Sequence, residues 1–293
     1  MNFFLQIIVS GLTLGAMYSL SAVGLSLVWG SFNMLNMAHG AIMTLGAYFV
    51  IIWFDSMGMT LWLAAPFALI CAAIAGVILY FISAHWMLTK RAFDTNIMIA
   101  TIGISIALQT GLLKAFGGEP YAQPLSLRSY SFMVNDVPVS YQRLVIWATA
   151  LILMVGVGIF LSRTNFGRAV RATAQNRDAA QLMGVRVRRV YVAVLALASV
   201  LAAVSGIMLS SMKELMPLMG GEPLLKAFIV IILAGLGNVT GALYAAILVG
   251  LLEAAVQVLV GAQYGFPAIL IFVILVLIWK PAGLFGRRTV ARQ

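Results

Sequence analysis

One acid, Glu253, stands well inside an apolar stretch of this sequence, where an unpaired carboxylate would be costly. Such an acid lines a polar route or relays protons, with Lys226 or Gln257 as candidate partners; equally, it serves as a structural acid, protonated or paired, that ties two helices together. His39, beside Asn36 at a break in the apolar pattern, carries the side chain that titrates nearest neutral pH. Its other reading is a hydrogen-bonded structural histidine, and His85, at the edge of a later run, reads as interfacial. Neither histidine opens a His-Glu-x-x-His zinc motif, no lysine follows a glycine as a phosphate loop requires, and no serine sits in Gly-x-Ser-x-Gly. The chain therefore offers no catalytic constellation, no metal site and no ATPase machinery of its own.

Two breaks resemble each other. Gly30-Ser31-Phe32-Asn33 is followed by Gly40-Ala41, and Gly235-Leu236-Gly237-Asn238 by Gly241-Ala242; both contain Gly-x-x-Asn. Interrupted helices free backbone groups that, with nearby amides, line polar paths, so Asn33, Asn36, His39, Asn238 and Glu253 are the candidate pathway residues. The alternative is a pair of short turns between antiparallel helices, where glycine and asparagine are common. The first run also carries small residues at intervals of four, Gly11, Gly15 and Ser19 and then Ala22, Ser26 and Gly30. Stripes of this kind let helix backbones approach closely, within one chain or at a subunit interface.

A third feature lies in a polar connection. Asn176 or Asp178 can cap a short helix through Ala179 to Met183, and Gly184 is placed to end it in the left-handed conformation. Ala179, Ala180, Leu182 and Met183 give this helix an apolar surface in a loop otherwise rich in arginine. A soluble partner could grip that surface; the arginines also suit a stretch lying on anionic lipid.

The elements that position these residues follow from composition. Of 293 residues, 63% are apolar and 9% charged. A soluble chain carries about 25% charged residues, so this one has little aqueous surface to cover and is an all-α, polytopic membrane bundle. The net charge of +10 marks membrane topology here rather than nucleic-acid binding. Apolar runs at about 3–30, 39–54, 61–83, 96–116, 143–162, 190–210, 225–236, 241–260 and 266–279 give nine hydrophobic elements, with about eight transmembrane helices. The runs at 39–54 and 225–236 are short for a hydrocarbon core about 30 Å thick. The opening residues carry no basic segment and read as a retained first helix.

Basic residues collect on the cytoplasmic side because they resist translocation. Arg163, Arg168, Arg171, Arg177, Arg186, Arg188 and Arg189 share one connection with Asp178 alone; putting it inside also places Lys90, Arg91, Lys280, Arg287, Arg288 and Arg292 inside. The amino terminus is then outside and the carboxyl terminus cytoplasmic. One transmembrane domain covers 1–286 and a basic cytoplasmic tail 287–293. Glu119, Asp136, Glu214 and Glu222 fall in the longer external loops.

The residues carry a resemblance. Asp178-Ala179-Ala180-Gln181-Leu182-Met183-Gly184 resembles the Glu-Ala-Ala-x-x-x-Gly core of the coupling loop in ABC importer permeases, with Asp in place of Glu. Together with Asn36-Met37-Ala38-His39-Gly40, Gly235-Leu236-Gly237-Asn238-Val239-Thr240-Gly241-Ala242 and Lys280-Pro281-Ala282-Gly283-Leu284-Phe285-Gly286, its order and spacing are similar to the high-affinity branched-chain amino acid permease family. The likeness runs from Gly11-Leu12-Thr13-Leu14-Gly15 to Gly286 and favours the smaller of that system's two permease subunits; the chain departs from the family pattern at Leu88-Thr89-Lys90-Arg91-Ala92-Phe93. The resemblance implies a multi-pass protein of the bacterial inner membrane, half of a translocation pathway for branched-chain or other hydrophobic amino acids. It implies as partners a second homologous permease subunit, two cytoplasmic ABC ATPases that hold ATP and Mg, and a periplasmic solute-binding protein, with Asp178, Ala179, Ala180, Leu182, Met183 and Gly184 coupling to the ATPases. Related permeases carry urea or short-chain amides, and a proton-coupled secondary transporter using Glu253 and His39, or a membrane scaffold, are readings of different classes.

Overall fold

A computed structural model describes residues 3–87, 93–124, 130–134 and 137–286. Lys90, Arg91 and most of the 88–93 stretch, Asp136, and the tail 287–293 lie outside the described residues. The nine apolar runs are all helical. In chain order they are α1 (Phe3–Phe32), α2 (His39–Ile51), α3 (Leu61–Leu79), α5 (Phe93–Phe116), α6 (Tyr141–Arg163), α9 (Val187–Met212), α10 (Gly221–Ala234), α11 (Val239–Leu259) and α12 (Gly265–Trp279). Shorter pieces fill the gaps: α4 (His85–Met87), α7 (Asn165–Gln175), α8 (Arg177–Leu182), and an antiparallel hairpin of β1 (Ser131–Val134) and β2 (Val137–Ser140) that leads into α6.

Seven helical segments among the described residues are long and apolar enough to cross a membrane: those at 3–32, 63–84, 95–116, 141–163, 187–212, 239–259 and 262–279. The two short runs stay short for a structural reason. α2 continues only through a π turn, Ile52–Ser56, and α10 has 14 residues, about 21 Å at 1.5 Å per residue. Both begin inside the bundle rather than at its edge: Gly40 at the start of α2 and Gly220 before α10 meet backbone to backbone, and a Cβ on either would collide with the carbonyl of the other. Each short helix thus completes a path begun by non-helical chain, residues 33–38 before α2 and 213–220 before α10. Glu222, expected in a loop, instead occupies the first turn of α10.

α1 and α9 form the buried centre. The small-residue stripe of α1 faces α11 within the chain: a Cβ on Gly11 would lie 2.8 Å from the Leu251 Cα, and one on Gly15 would lie 2.9 Å from the Ile247 Cα. Gly250 returns the contact against Gly11 and Gly15. Ser19 is buried too, its hydroxyl donating to the Ala16 carbonyl at 2.7 Å. α9 is locked in the same manner, with Gly206 against Met43, Ala203 against Gly46 of α2, and Ser199 against Gly76 of α3. In lipid no hydrophobic force draws apolar helices together, so this close packing carries their association. The peripheral helices show the complementary face: Ile99, Ile102 and Ile106 of α5, Leu151, Ile152 and Val155 of α6, and Ile271, Ile274 and Ile278 of α12 are exposed apolar residues at helical spacing.

One end of the bundle gathers the arginine-rich connection, the end of α1, the α10–α11 turn and residues 282–286. Leu284 N–H donates to the Leu233 carbonyl at 2.7 Å there, and the Asn238 amide donates to the Phe285 carbonyl at 3.0 Å. At the other end, Tyr121 bridges to Leu215 just beyond α9.

Replacing Gly250 with alanine is expected to lower stability by about 1–3 kcal/mol, the range for forced overpacking. Gly103 of α5 has open space where a Cβ would go; Gly103→Ala is expected to leave stability unchanged or raise it by up to about 1 kcal/mol. Thermal unfolding of the two purified variants in one detergent checks both, and equal melting shifts would contradict the packing argument.

Candidate functional site

The close approach of α1 and α11 brings two polar side chains together inside the apolar bundle. Tyr18 follows Gly15 by three residues and Glu253 follows Gly250 by three, and the Tyr18 hydroxyl donates to Glu253 Oε2 at 2.6 Å. Lys226 of α10 completes the group: its Nζ donates to Glu253 Oε1 at 2.7 Å and to the Tyr18 hydroxyl at 3.1 Å, and forms an ion pair with Glu222 at 2.7 Å. Gln257, one turn along α11, donates to Glu253 Oε1 at 3.0 Å. The partners anticipated for Glu253, Lys226 and Gln257, are both present, and Tyr18 is an addition. Its sequence signal was a phenol on the small-residue helix, one turn past Gly15.

The Glu253 side chain is 2% exposed and that of Lys226 5%, whereas Glu222 is 53% exposed. Burying an ion pair costs several kcal/mol per charge unless the remaining polar atoms are bonded. Here both oxygens of Glu253 and the ammonium of Lys226 have partners, which is what lets the pair persist. The cluster ties three helices together and also forms one wall of a cavity of about 1000 Å³. The cavity lies between α1, the end of α9, and α10 to α12, and its other walls include Leu14, Leu209, Met216 and Phe266.

Of the five candidate pathway residues, Glu253 alone lines this cavity. The three asparagines shape the backbone instead. Asn33 ends α1 in the left-handed conformation, φ +55°, a state that asparagine tolerates better than most residues. The Asn36 side chain accepts from the Ala38 N–H at 3.0 Å, holding the entry to α2. Asn238 caps α11 by accepting from the Gly241 N–H at 2.9 Å. The two similar breaks are thus used differently, one ending a helix and the other starting one, although Gly30 and Gly237 lie side by side. His39 is fully buried against Gly24 and does not line the cavity.

The second site is the short helix α8 at the arginine-rich end. Asn176, rather than Asp178, is its cap, accepting from the Ala179 N–H at 2.9 Å. Gly184 closes the helix at φ +84°, with the Gly184 N–H on the Gln181 carbonyl and the Val185 N–H on the Ala180 carbonyl, both at 3.0 Å. This is the Schellman arrangement that a left-handed glycine permits. The helix has two faces. Ala180 is 4% exposed and seats it on the chain, while Leu182 and Met183 are 89% and 85% exposed. Ala180 therefore belongs to the inward face and not to the outward surface expected of it. Asp178 and Ala179 are exposed. α8 joins α9 through Arg177, whose guanidinium lies 5.9 Å from the Tyr191 ring centre, and Tyr191 stacks on Phe32 of α1 at 3.8 Å.

Removing Lys226 alone is expected to destabilise by about 3–5 kcal/mol, because Glu253 is then a buried unpaired charge, and removing Glu253 alone by less, because Lys226 keeps its pair with Glu222. The double variant Lys226→Met, Glu253→Gln is expected to recover most of that loss. A double-mutant cycle on unfolding of the purified protein reads it, and additive losses would show that the two side chains do not interact.

Comparison with known proteins fits this architecture. A family model for the branched-chain amino acid transport system permease component matches residues 7–279. The high-affinity branched-chain amino acid transport system permease protein BraD of Pseudomonas aeruginosa is 30% identical over 300 residues, covering 99% of this chain and 98% of that protein. The corresponding LivH of Escherichia coli is 28% identical over 303 residues, again covering 99% and 98%. Among solved structures, PsaBC from Streptococcus pneumoniae in complex with Fab has a TM-score of 0.51 at 11% identity, covering 94% of this chain and 91% of that one, a likeness of fold alone. With the family model spanning nearly the whole bundle, from α1 to the end of α12, the chain belongs to the branched-chain amino acid transport system permease family.

Proposed function

We propose that this chain is a permease subunit of an ATP-driven ABC importer in the bacterial inner membrane, forming half of the pathway for branched-chain or other hydrophobic amino acids. The full-length family match is the observation that carries this reading. The arginine-rich end is cytoplasmic and the amino terminus faces outward, in keeping with the distribution of basic residues. The energy comes from two partner ATPases that hold ATP and Mg; a second, homologous permease subunit completes the pathway and a periplasmic binding protein delivers solute. In this reading α8 is the knob that docks on an ATPase, with Leu182 and Met183 as its apolar contacts and Asp178 and Ala179 beside them. Asn176 and Gly184 fix its ends, and Ala180 couples it to the bundle. Amide or urea transport, known in related permeases, has no observation in its favour here.

Uptake of labelled leucine, isoleucine and valine by cells with and without the gene tests the reading, with urea and short-chain amides as competitors. Gene-dependent uptake blocked by the branched-chain amino acids is expected; competition by urea or amides alone would transfer the chain to another substrate. Leu182→Asp with Met183→Asp is expected to leave insertion intact and to cut uptake at least about tenfold, the effect of placing charge in an apolar contact. Ala180→Arg should instead lower the amount of folded protein, because its side chain faces inward. Wild-type uptake with both outer residues charged would remove α8 from the docking role.

A further inference from the structure

The cavity beside Lys226 has an uneven charge. Glu214, Glu222 and Glu253 line it against Lys213 and Lys226, three carboxylates to two ammonium groups. Its polar wall faces walls of Leu14, Leu209, Met216 and Phe266. Such a lining suits a small solute with charge at one end and hydrocarbon at the other, and a volume of about 1000 Å³ is at the upper end of the range for small-molecule sites. The two acids bonded to Lys226 are not equivalent. Glu253 is enclosed by Lys226, Tyr18 and Gln257, whereas Glu222 is half exposed, lines the cavity and pairs with Lys226.

We propose that this cavity is an amino-acid subsite on the transport route, in which the Glu222–Lys226 ion pair opens to receive a zwitterion. The solute's α-ammonium takes Glu222, its α-carboxylate takes Lys226, and its apolar side chain lies against Met216, Leu209 and Phe266. The exchange replaces one ion pair with two and leaves no charge bare, which is the condition for bringing charges into a poorly solvated site. Glu253 and Tyr18 hold Lys226 in place, and Gln257 holds Glu253, while Glu222 changes partner. A neutral amide or urea offers neither charge, and a monocarboxylate would leave Glu222 without a partner, so the site discriminates by charge count. The inference rests on the permease reading and deepens it.

The experiment uses the complete transporter in right-side-out vesicles. With Cys71, the chain's one cysteine, replaced by serine, Met216→Cys supplies a reporter on the cavity wall for a membrane-impermeant maleimide. Leucine is expected to slow labelling saturably, while 4-methylpentanoate, 3-methylbutylamine and urea at the same concentration do not. Glu222→Gln is expected to raise the half-protecting leucine concentration about tenfold or more, as loss of a charged hydrogen bond predicts, and Glu222→Asp to restore most of the protection. Protection that all four solutes give equally, or that Glu222→Gln leaves unchanged, overturns the proposal. So does a cysteine that the reagent never reaches, since the cavity would then not open on that side. Gene- and ATPase-dependent leucine uptake with no protection defeats the subsite and leaves the permease reading standing; protection without such uptake does the reverse.

Discussion

The bundle depends on two backbones that lie too close for side chains to fit between them. In water, burying the apolar surface of α1 and α11 would itself drive their association, but in hydrocarbon that term vanishes and van der Waals contact at short range must replace it. Gly11, Gly15 and Gly250 provide the contact, and because they interlock they also set the axial register of the two helices. The register then decides the chemistry. Tyr18 and Glu253, each three residues beyond an interlocked glycine, end within 2.6 Å of each other. A slip of one helical turn would move the phenol by about 5.4 Å and leave the carboxylate in an apolar wall.

Much of this was legible in the sequence because it rests on local chemistry or on coarse solubility. Nine apolar runs, the arginine-rich connection, and the capped α8 with its terminal glycine could be read without tertiary information. So could the pairing of Glu253, since an acid in a membrane helix has few residues to choose from. The burial of each helical face was not legible. In a lipid-embedded helix the outer and inner faces are both apolar, so the periodicity that marks a core face in a soluble protein is nearly absent. Nothing in Asp178-Ala179-Ala180-Gln181-Leu182-Met183 separates the buried Ala180 from its exposed neighbour Ala179. The similar Gly-x-x-Asn breaks were ambiguous for another reason. Asparagine both caps helix starts and tolerates left-handed helix ends, so the residue type marks a boundary without telling which kind. The start of α2 and the turn before α10 meet inside the bundle through Gly40 and Gly220, residues 180 positions apart, and no window along the chain encodes that meeting.

α9 connects the two candidate sites. It has 26 residues, about 39 Å of helix. Tyr191 near one end receives Arg177 of α8 and Phe32 of α1, and Leu209 near the other end lines the cavity. Between them α9 is fixed to three helices, through the Ser205 hydroxyl on the Met17 carbonyl of α1 at 2.9 Å, through Ala203 and Gly206 on α2, and through Ser199 on α3. These close contacts tie α9 to α1, α2 and α3 as one block.

Motion of that block is useful only if the two positions differ in the contacts they make, since no push shifts an equilibrium between states of equal interaction energy. The apolar contacts with α12 and with lipid are poor candidates, because one apolar neighbour replaces another at little cost. The Tyr18–Lys226–Glu253 group is different in kind. Lys226 rides on α10, whereas Tyr18 belongs to α1 and Glu253 to α11. Displacing α10 from α1 and α11 would leave the buried Glu253 carboxylate without its ammonium, while Glu222 travels with Lys226 on α10, a loss of several kcal/mol unless another cation takes the vacated bond. The cluster therefore ties α10 to α1 and α11 on this side of the bundle, and a solute that enters by opening the Glu222–Lys226 pair leaves that tie in place.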